Sequence, residues 1–190
     1  MCGIVGHLGS LNSQTIILDG LEALEYRGYD SAGLSLIGRD GKINTIKREG
    51  RLNNLRSEVD GNKEIYFAGI GHTRWATHGK VSRLNSHPHC GKGFSVVHNG
   101  IIENSAEIKK DLVAENITFV SETDSEVFVR LLEKISSEEI DFKSAIVAAF
   151  DRIEGNNCLV ILHEKDQKIY AIKNNAPLAC GQTDDNNNYF

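Results

Sequence analysis

Met1-Cys2-Gly3-Ile4-Val5-Gly6 opens the chain, and both its architecture and its chemistry turn on this stretch. Residues 3–10 read as a strand that enters a turn, so Cys2 stands at the head of that strand. Cysteine is small enough that removal of the initiator methionine is expected, which would leave Cys2 with a free α-amine. One residue would then carry a nucleophilic sulfur and a base, because an α-amino group titrates near about 7.7–8.0 and can exchange protons at neutral pH. A cysteine beside an initiator methionine is usually incidental, so the weight falls on the rest of the chain.

Working outward, residues 15–26 place Ile17, Leu18, Leu21 and Leu24 on one helical face. Residues 32–37 and 43–48 flank Arg39-Asp40-Gly41-Lys42, a hairpin signal with Asp-Gly at its centre. Residues 65–72 and 93–98 read as buried strands separated by a long polar loop. Asn104 with Glu107, and Thr123 with Glu126, have capping-box spacing ahead of two helices. A further helix over 141–153 precedes a hairpin of 159–163 with 168–173. Strands and helices grouped in this way predict α+β layers rather than a regular βαβ repeat.

The 190 residues suit a single domain spanning 1–190, with no low-complexity linker or internal repeat. A formal net charge of −5, with no long Lys/Arg block, argues against a nucleic-acid surface. The longest apolar runs, 146–150 and 158–162, are too short to cross a bilayer. No basic segment followed by an apolar run marks a signal peptide, so a cytoplasmic location is expected. Cys2, Cys90, Cys158 and Cys180 are too widely spaced for a disulfide framework and read as free thiols. Cys158, and on similar grounds Cys180, reads as a small buried hydrophobe.

Four segments beyond the N-terminus carry chemistry. His72-Thr73-Arg74-Trp75-Ala76-Thr77-His78-Gly79 leaves a predicted strand, where a guanidinium fork can hold a carboxylate at two points. His98-Asn99-Gly100 ends another strand, and an Asn amide with an adjacent Gly N–H can donate together to a developing oxyanion. Glu122-Thr123-Asp124 sits at a helix start, where a carboxylate either caps the helix or receives a ligand ammonium. His87-Pro88-His89-Cys90, with His72, His78 or His98, offers zinc-type ligands, but no paired spacing closes a metal site.

Taken in order and spacing, Cys2–Gly6, Tyr26-Arg27-Gly28-Tyr29-Asp30-Ser31-Ala32-Gly33, the 72–79 segment, Asn85-Ser86-His87-Pro88-His89, 97–104 and 121–127 resemble the class II glutamine amidotransferases. Arg27-Gly28-Tyr29-Asp30 and Arg74-Trp75 separate the chain from amidophosphoribosyltransferases, which usually show Arg-Gly-Gln and Arg-Tyr. They also separate it from asparagine synthetases with Arg-Gly-Pro-Asp. The chain is most similar to the glutaminase (type-2) domain of the glutamine–fructose-6-phosphate aminotransferases, the glucosamine-6-phosphate synthases of amino sugar biosynthesis.

The resemblance implies a four-layer αββα Ntn-hydrolase sandwich of two antiparallel sheets, truncated at its C-terminal end. It also implies that the sugar-phosphate isomerase domains lie outside these 190 residues, and that the full-length enzyme is a homo-oligomer. By the same resemblance Cys2 is the N-terminal nucleophile, and Asn99 with the Gly100 N–H forms the oxyanion hole. Arg74 receives the glutamine α-carboxylate and Asp124 its α-ammonium. Thr77 and His78 are further substrate-shell residues, and Trp75 gates ammonia. The expected reaction is hydrolysis of L-glutamine to glutamate and ammonia through a Cys2 thioester, without metal or organic cofactor. The alternatives are another class II member such as an amidophosphoribosyltransferase, an Ntn amidase acting on a different amide, and a non-catalytic glutamine sensor. His7 and Gly155-Asn156-Asn157-Cys158 depart from the family's usual residues.

Overall fold

Strand alternation sorts the side chains of this protein into three apolar layers, and those layers define the architecture. The computed structural model describes residues 2–61, 64–75, 79–137 and 141–190. In chain order the elements are β1 (Gly3–Leu8), α1 (Ser13–Leu24), a 3₁₀ turn (Glu25–Arg27), β2 (Ser31–Ile37), β3 (Ile43–Glu49), α2 (Leu52–Val59) and β4 (Ala68–Arg74). They continue with β5 (His89–Gly91), β6 (Phe94–Gly100), α3 (Ser105–Ala114), α4 (Asp124–Ser136), α5 (Phe142–Phe150), β7 (Asn157–His163), β8 (Lys168–Lys173), β9 (Gly181–Gln182) and β10 (Asn188–Tyr189).

Six strands form one sheet in the order β3-β2-β4-β1-β10-β9, and four form a second in the order β5-β6-β7-β8; every pairing is antiparallel. Ile17, Leu18 and Leu21 of α1 and Leu52 and Leu55 of α2 pack on Leu34 and Leu36 of the first sheet. Ile37, Ala68, Ile70, Val97, Val160 and Leu162 fill the space between the sheets. Phe128, Leu131 and Leu132 of α4, with residues of α3 and α5, cover Phe94, Val96 and Leu159 on the far side of the second sheet. Helix, sheet, sheet, helix is the αββα sandwich that the family resemblance implies. Burial of each such aliphatic or aromatic side chain contributes about 1.5–3 kcal/mol.

Helix α1 lies close to β4 of its sheet. A Cβ on Gly71 of β4 would run into Ile17 and Leu21, so glycine at 71 sets the distance at which the helix docks. The 39–42 turn is the expected hairpin, with Gly41 at a φ of 72° and the Asp40 carboxylate accepting from the Lys42 N–H.

Several sequence expectations need correction. The first helix starts at Ser13, where the Asn12 side chain caps it, and closes at Leu24 before the 3₁₀ turn. The strand expected from 65 begins at Ala68. Helix α2 and strands β5, β9 and β10 have no counterpart in the sequence reading. Asn104 makes no capping hydrogen bond to α3; its side chain instead ties to the Arg152 carbonyl and the Glu154 N–H. Half of the second capping box holds. Thr123 Oγ1 accepts from the Glu126 N–H, but the Glu126 carboxylate passes the cap to take the N–H groups of Val120 and Ser121. Cys180 is exposed, whereas Cys158 is buried in β7 as expected. No helix among the described residues is long and apolar enough to cross a membrane.

Candidate active site

The inner faces of β1, β4 and β6 turn from apolar to polar at one end of the sandwich. Pairing of Gly3 with Thr73 brings the head of β1 beside the end of β4, so Cys2 lies next to Arg74 and Trp75. The Trp75 N–H points at Cys2 Sγ from 3.2 Å. Asn99, on the inner face of β6, reaches across with its Nδ2 donating to the Cys2 carbonyl oxygen at 3.3 Å. A cavity of about 450 Å³ opens here, and Cys2, Arg74, Trp75, Asn99, Gly100 and Asp124 line it. These are the six described residues among the eight that the sequence singled out. Thr77 and His78 lie outside the described residues.

Each wall has a local cause. Arg74, the last residue of β4, is 4% exposed. Its guanidinium donates to the carbonyls of Gly79 and Lys80 at 3.4 Å and lies 4.0 Å from the Asp30 carboxylate. Asp124 begins α4 directly after the Thr123 cap, and its carboxylate accepts the N–H groups of Ile102 at 2.8 Å and Ser125 at 2.9 Å. A carboxylate has about four acceptor sites, so this leaves capacity for a cationic ligand. Gly100 has a φ of 147°, and a Cβ there would collide with Asn156 and Asn157, so only glycine suits the turn beside Asn99. Trp75 is half exposed and meets the Tyr29 ring edge-on, with centroids 5.5 Å apart.

Burial pushes the Cys2 thiol up from its ordinary value. The Trp75 N–H works against that shift, Asp30 adds to it, and Arg74 opposes it. The sulfur is therefore a protonated thiol at neutral pH that needs a nearby base before it can attack.

At and beneath the cavity wall lie four histidines that the sequence raised only as zinc-type ligands: His72, His87, His89 and His98, all buried. The His72 and His87 rings lie 4.1 Å apart, and those of His87 and His89 lie 4.7 Å apart. Burial lowers all four pKa values, that of His72 to about 3, so the imidazoles are neutral. His98 Nε2 donates to Asn157 Oδ1 at 2.9 Å, and its Nδ1 meets Ser125 Oγ at 2.9 Å, directly behind Asp124. The departure at Asn157 thus supplies a partner for this network. The departure at His7 faces the other way, on the opposite side of β1 from Cys2. It bridges Ser13 Oγ at 2.7 Å and Asn187 Oδ1 at 3.3 Å, and so ties the C-terminal segment to α1. Among the described residues, no group of three or more His, Cys, Asp or Glu is arranged to hold a metal ion.

Comparison with known proteins defines the class. The family described as a glutamine amidotransferase domain matches residues 73–190, and the chain belongs to it. More particularly, the chain is 43% identical over 190 residues to the glutamine–fructose-6-phosphate aminotransferase (isomerizing) of Bacillus licheniformis, covering 98% of this chain and 31% of that protein. The protein of the same name from Caldanaerobacter subterraneus is 47% identical over 184 residues, covering 95% of this chain and 30% of its own length. The chain thus spans about 31% of the length of these curated relatives.

Among solved structures, the glutamine phosphoribosylpyrophosphate amidotransferase from B. subtilis superposes on 100% of this chain and 41% of its own, at a TM-score of 0.85 and 23% identity. A structure described as the allosteric regulatory enzyme of purine biosynthesis does so at a TM-score of 0.88, with the same identity and coverage. At that identity the likeness concerns the fold, which is the four-layer Ntn-type sandwich of two antiparallel sheets.

Proposed function

We propose that this chain hydrolyses L-glutamine to glutamate and ammonia with Cys2 as nucleophile. We propose further that it serves as the ammonia-donor domain of an enzyme that aminates fructose 6-phosphate. One observation carries the first part: Cys2 Sγ sits in a cavity whose walls supply a cation, Arg74, an anion, Asp124, and an amide donor, Asn99. Glutamine has a zwitterionic head at one end and a reactive amide at the other. Arg74 would hold the α-carboxylate and Asp124 the α-ammonium, leaving the side-chain amide over the sulfur; orientation of this kind contributes several kcal/mol to catalysis.

Removal of Met1 would free the Cys2 amine, which takes the Sγ proton as sulfur attacks the amide carbon. The negative charge moves to the amide oxygen, where the Asn99 Nδ2–H and the Gly100 N–H stabilise it. Collapse of this intermediate breaks the C–N bond. The nitrogen leaves as ammonia with the proton held by the amine, and the acyl group remains on sulfur as a thioester. Water then gives a proton to the amine, its oxygen attacks the thioester carbon, and glutamate departs as the thiol re-forms. No electrons are exchanged with a cofactor in this sequence. Support for the acceptor comes from the names of the relatives, glutamine–fructose-6-phosphate aminotransferases, of which this chain spans about 31%.

Two preparations of the intact protein test the mechanism, one beginning at Cys2 and one retaining Met1, with Cys2→Ala as control. The Cys2-initial protein should release glutamate and ammonia and take a glutamine-like electrophile at Cys2 rather than at Cys90, Cys158 or Cys180. The other two should do neither. Equal turnover with Met1 retained would sink the N-terminal-nucleophile mechanism.

A further inference from the structure

His72 belongs to no part of the reaction as described, yet it touches the residue on which the oxyanion depends. Its Nε2 lies 3.1 Å from the His98 carbonyl oxygen and 3.2 Å from Asn99 Oδ1, while its Nδ1 is buried without a hydrogen-bond partner among the described residues. A backbone carbonyl oxygen can only accept. The His72 nitrogen facing it must therefore carry the proton, because a lone pair set against that oxygen would be repelled. The bare nitrogen is then Nδ1, and the His87 ring lies tilted against this one, with centroids 4.1 Å apart.

The tautomer has a consequence for Asn99. An Nε2–H that points at the Asn99 amide requires the amide oxygen on that side. This turns the Nδ2 group to the opposite side, where it donates to the Cys2 carbonyl oxygen at 3.3 Å. Flipping the amide would put two donors face to face and leave Oδ1 beside a carbonyl. We propose that His72 is a positioning residue that uses its Nε2–H to lock the Asn99 carboxamide with its donor toward the Cys2 side. The chain of cause runs from the His98 carbonyl to the His72 tautomer, then to the Asn99 amide, and finally to the nascent oxyanion. Deep burial supports the arrangement, because an imidazole held neutral down to about pH 3 keeps one tautomer throughout the working range. The alternation of β4 explains why this residue is in place: His72 lies two positions before Arg74 and shares its inward face.

This inference rests on the reading of Asn99 as the oxyanion donor, and the test separates the two. Glutamine hydrolysis is measured for the intact Cys2-initial protein carrying Asn99→Ala, His72→Leu, both changes together, His72→Gln or His72→Asn. Asn99→Ala should lower kcat by about 10²–10³-fold. His72→Leu should lower kcat by about 10–100-fold with KM within about twofold, since a misdirected donor matters only once charge develops. The double variant should be no worse than Asn99→Ala alone, because His72 acts through Asn99. Gln can present an N–H at the reach of Nε2 and should retain most of kcat, whereas Asn, too short for that reach, should behave like Leu. If His72→Leu does not fold, the Gln and Asn pair carries the test. Unchanged kcat in His72→Leu or His72→Asn, or losses that multiply in the double variant, would overturn the positioning role. Normal kcat in Asn99→Ala would instead overturn the oxyanion assignment, whatever His72 does.

Discussion

The two ends of the layer between the sheets share the same strands and the same alternation, and differ only in what the inward positions hold. On β4 the inward residues run Ala68, Ile70, His72, Arg74; on β6, Val97 precedes Asn99; on β1, Leu8 and Ile4 lead back to Cys2. At one end, Ala68, Ile70, Val97, Val160 and Leu162 are 0% exposed and need no partners. At the other, Arg74 and the four histidines are buried and Cys2, Asn99 and Asp124 partly so; buried polar atoms need hydrogen bonds, and Nδ1 of His72 and of His87 has none among the described residues. The apolar end supplies stability. The polar end draws on it to hold a cation, an anion, a thiol and four neutral imidazoles where water would otherwise solvate them.

Acid should break this balance most completely. Histidine in an unfolded chain titrates near 6.5, whereas burial holds His72 at about 3 and lowers His87, His89 and His98 as well. Lys47 and Arg74 add to the lowering, and Asp124, beside His98, opposes it. Between those pH values the unfolded chain binds more protons. Stability therefore rises with pH through this window and falls on acidification, by up to about 1.4 kcal/mol per pH unit for each histidine. The losses of the four groups add, against a total stability of about 5–15 kcal/mol. Circular dichroism should show cooperative unfolding on acidification below about 6.5, with several protons taken up. Resonances of His72, His87, His89 and His98 that titrate near 6.5 in a still-folded protein would refute the account.

The next contrast is a double dissociation of comparable size at the two ends. Arg74→Ala and Asp124→Asn should each raise the glutamine KM by about 30-fold or more, because truncating one partner of a buried charge pair costs about 2–5 kcal/mol. Ile70→Ala, two turns of alternation away on the same strand face, should cost about 2–5 kcal/mol of unfolding free energy through a cavity. It should leave KM unchanged at temperatures where the variant is folded. A KM that follows Ile70→Ala, or normal glutamine binding in both charge variants, would show that the two ends are not separable in this way.

The sequence reveals these ends unequally. The longer strands are legible, because β2, β4, β6 and β7, buried along nearly their whole length, and the more exposed β3 and β8 each sustain a strand pattern over six or seven residues. Two- and three-residue strands such as β5, β9 and β10 have no room for a period and form because a neighbour offers hydrogen bonds. The eight-residue α2 was legible in principle from Leu52, Leu55 and Val59, but the polar residues between them dilute the signal. Asn104 misleads because a distant segment, Arg152 and Glu154, competes for its side chain.

The cavity residues Cys2, Arg74, Asn99 and Asp124 could be nominated from chemistry and motif order, since each carries a distinct functional group. The histidines could be grouped only as zinc-type ligands, not as a buried, neutral cluster. That cluster is assembled from β4, the loop leading into β5, β5 itself and β6, and depends on which face each strand turns inward. Its connection to Asp124 runs through Ser125, a residue with no signal of its own.

The finest contrast compares two helix caps of the same chemistry. At the apolar end, Asn12 Oδ1 accepts the Gln14 N–H at the start of α1 and also the Tyr66 N–H just before β4. At the polar end, Thr123 Oγ1 accepts the Glu126 N–H at the start of α4 and meets His89 Nε2 at 3.1 Å. Replacing either residue with alanine should cost about 1 kcal/mol of stability, the usual worth of a side-chain cap. Their kinetic effects should differ. Asn12 holds an element whose buried face serves only the α1 layer, so glutamine kinetics should be unchanged. Thr123 fixes the first turn of α4, from which Asp124 projects into the cavity, and a small displacement of a charge that orients substrate is felt in binding. Thr123→Ala should therefore raise the glutamine KM by a few-fold, with kcat lowered much less. Denaturant melts and steady-state kinetics on the two variants decide the matter. Equal KM shifts would mean that the caps report on global stability alone. No shift in either would mean that Ile102 and Ser125, whose N–H groups grip the Asp124 carboxylate, hold it in place without help from the cap.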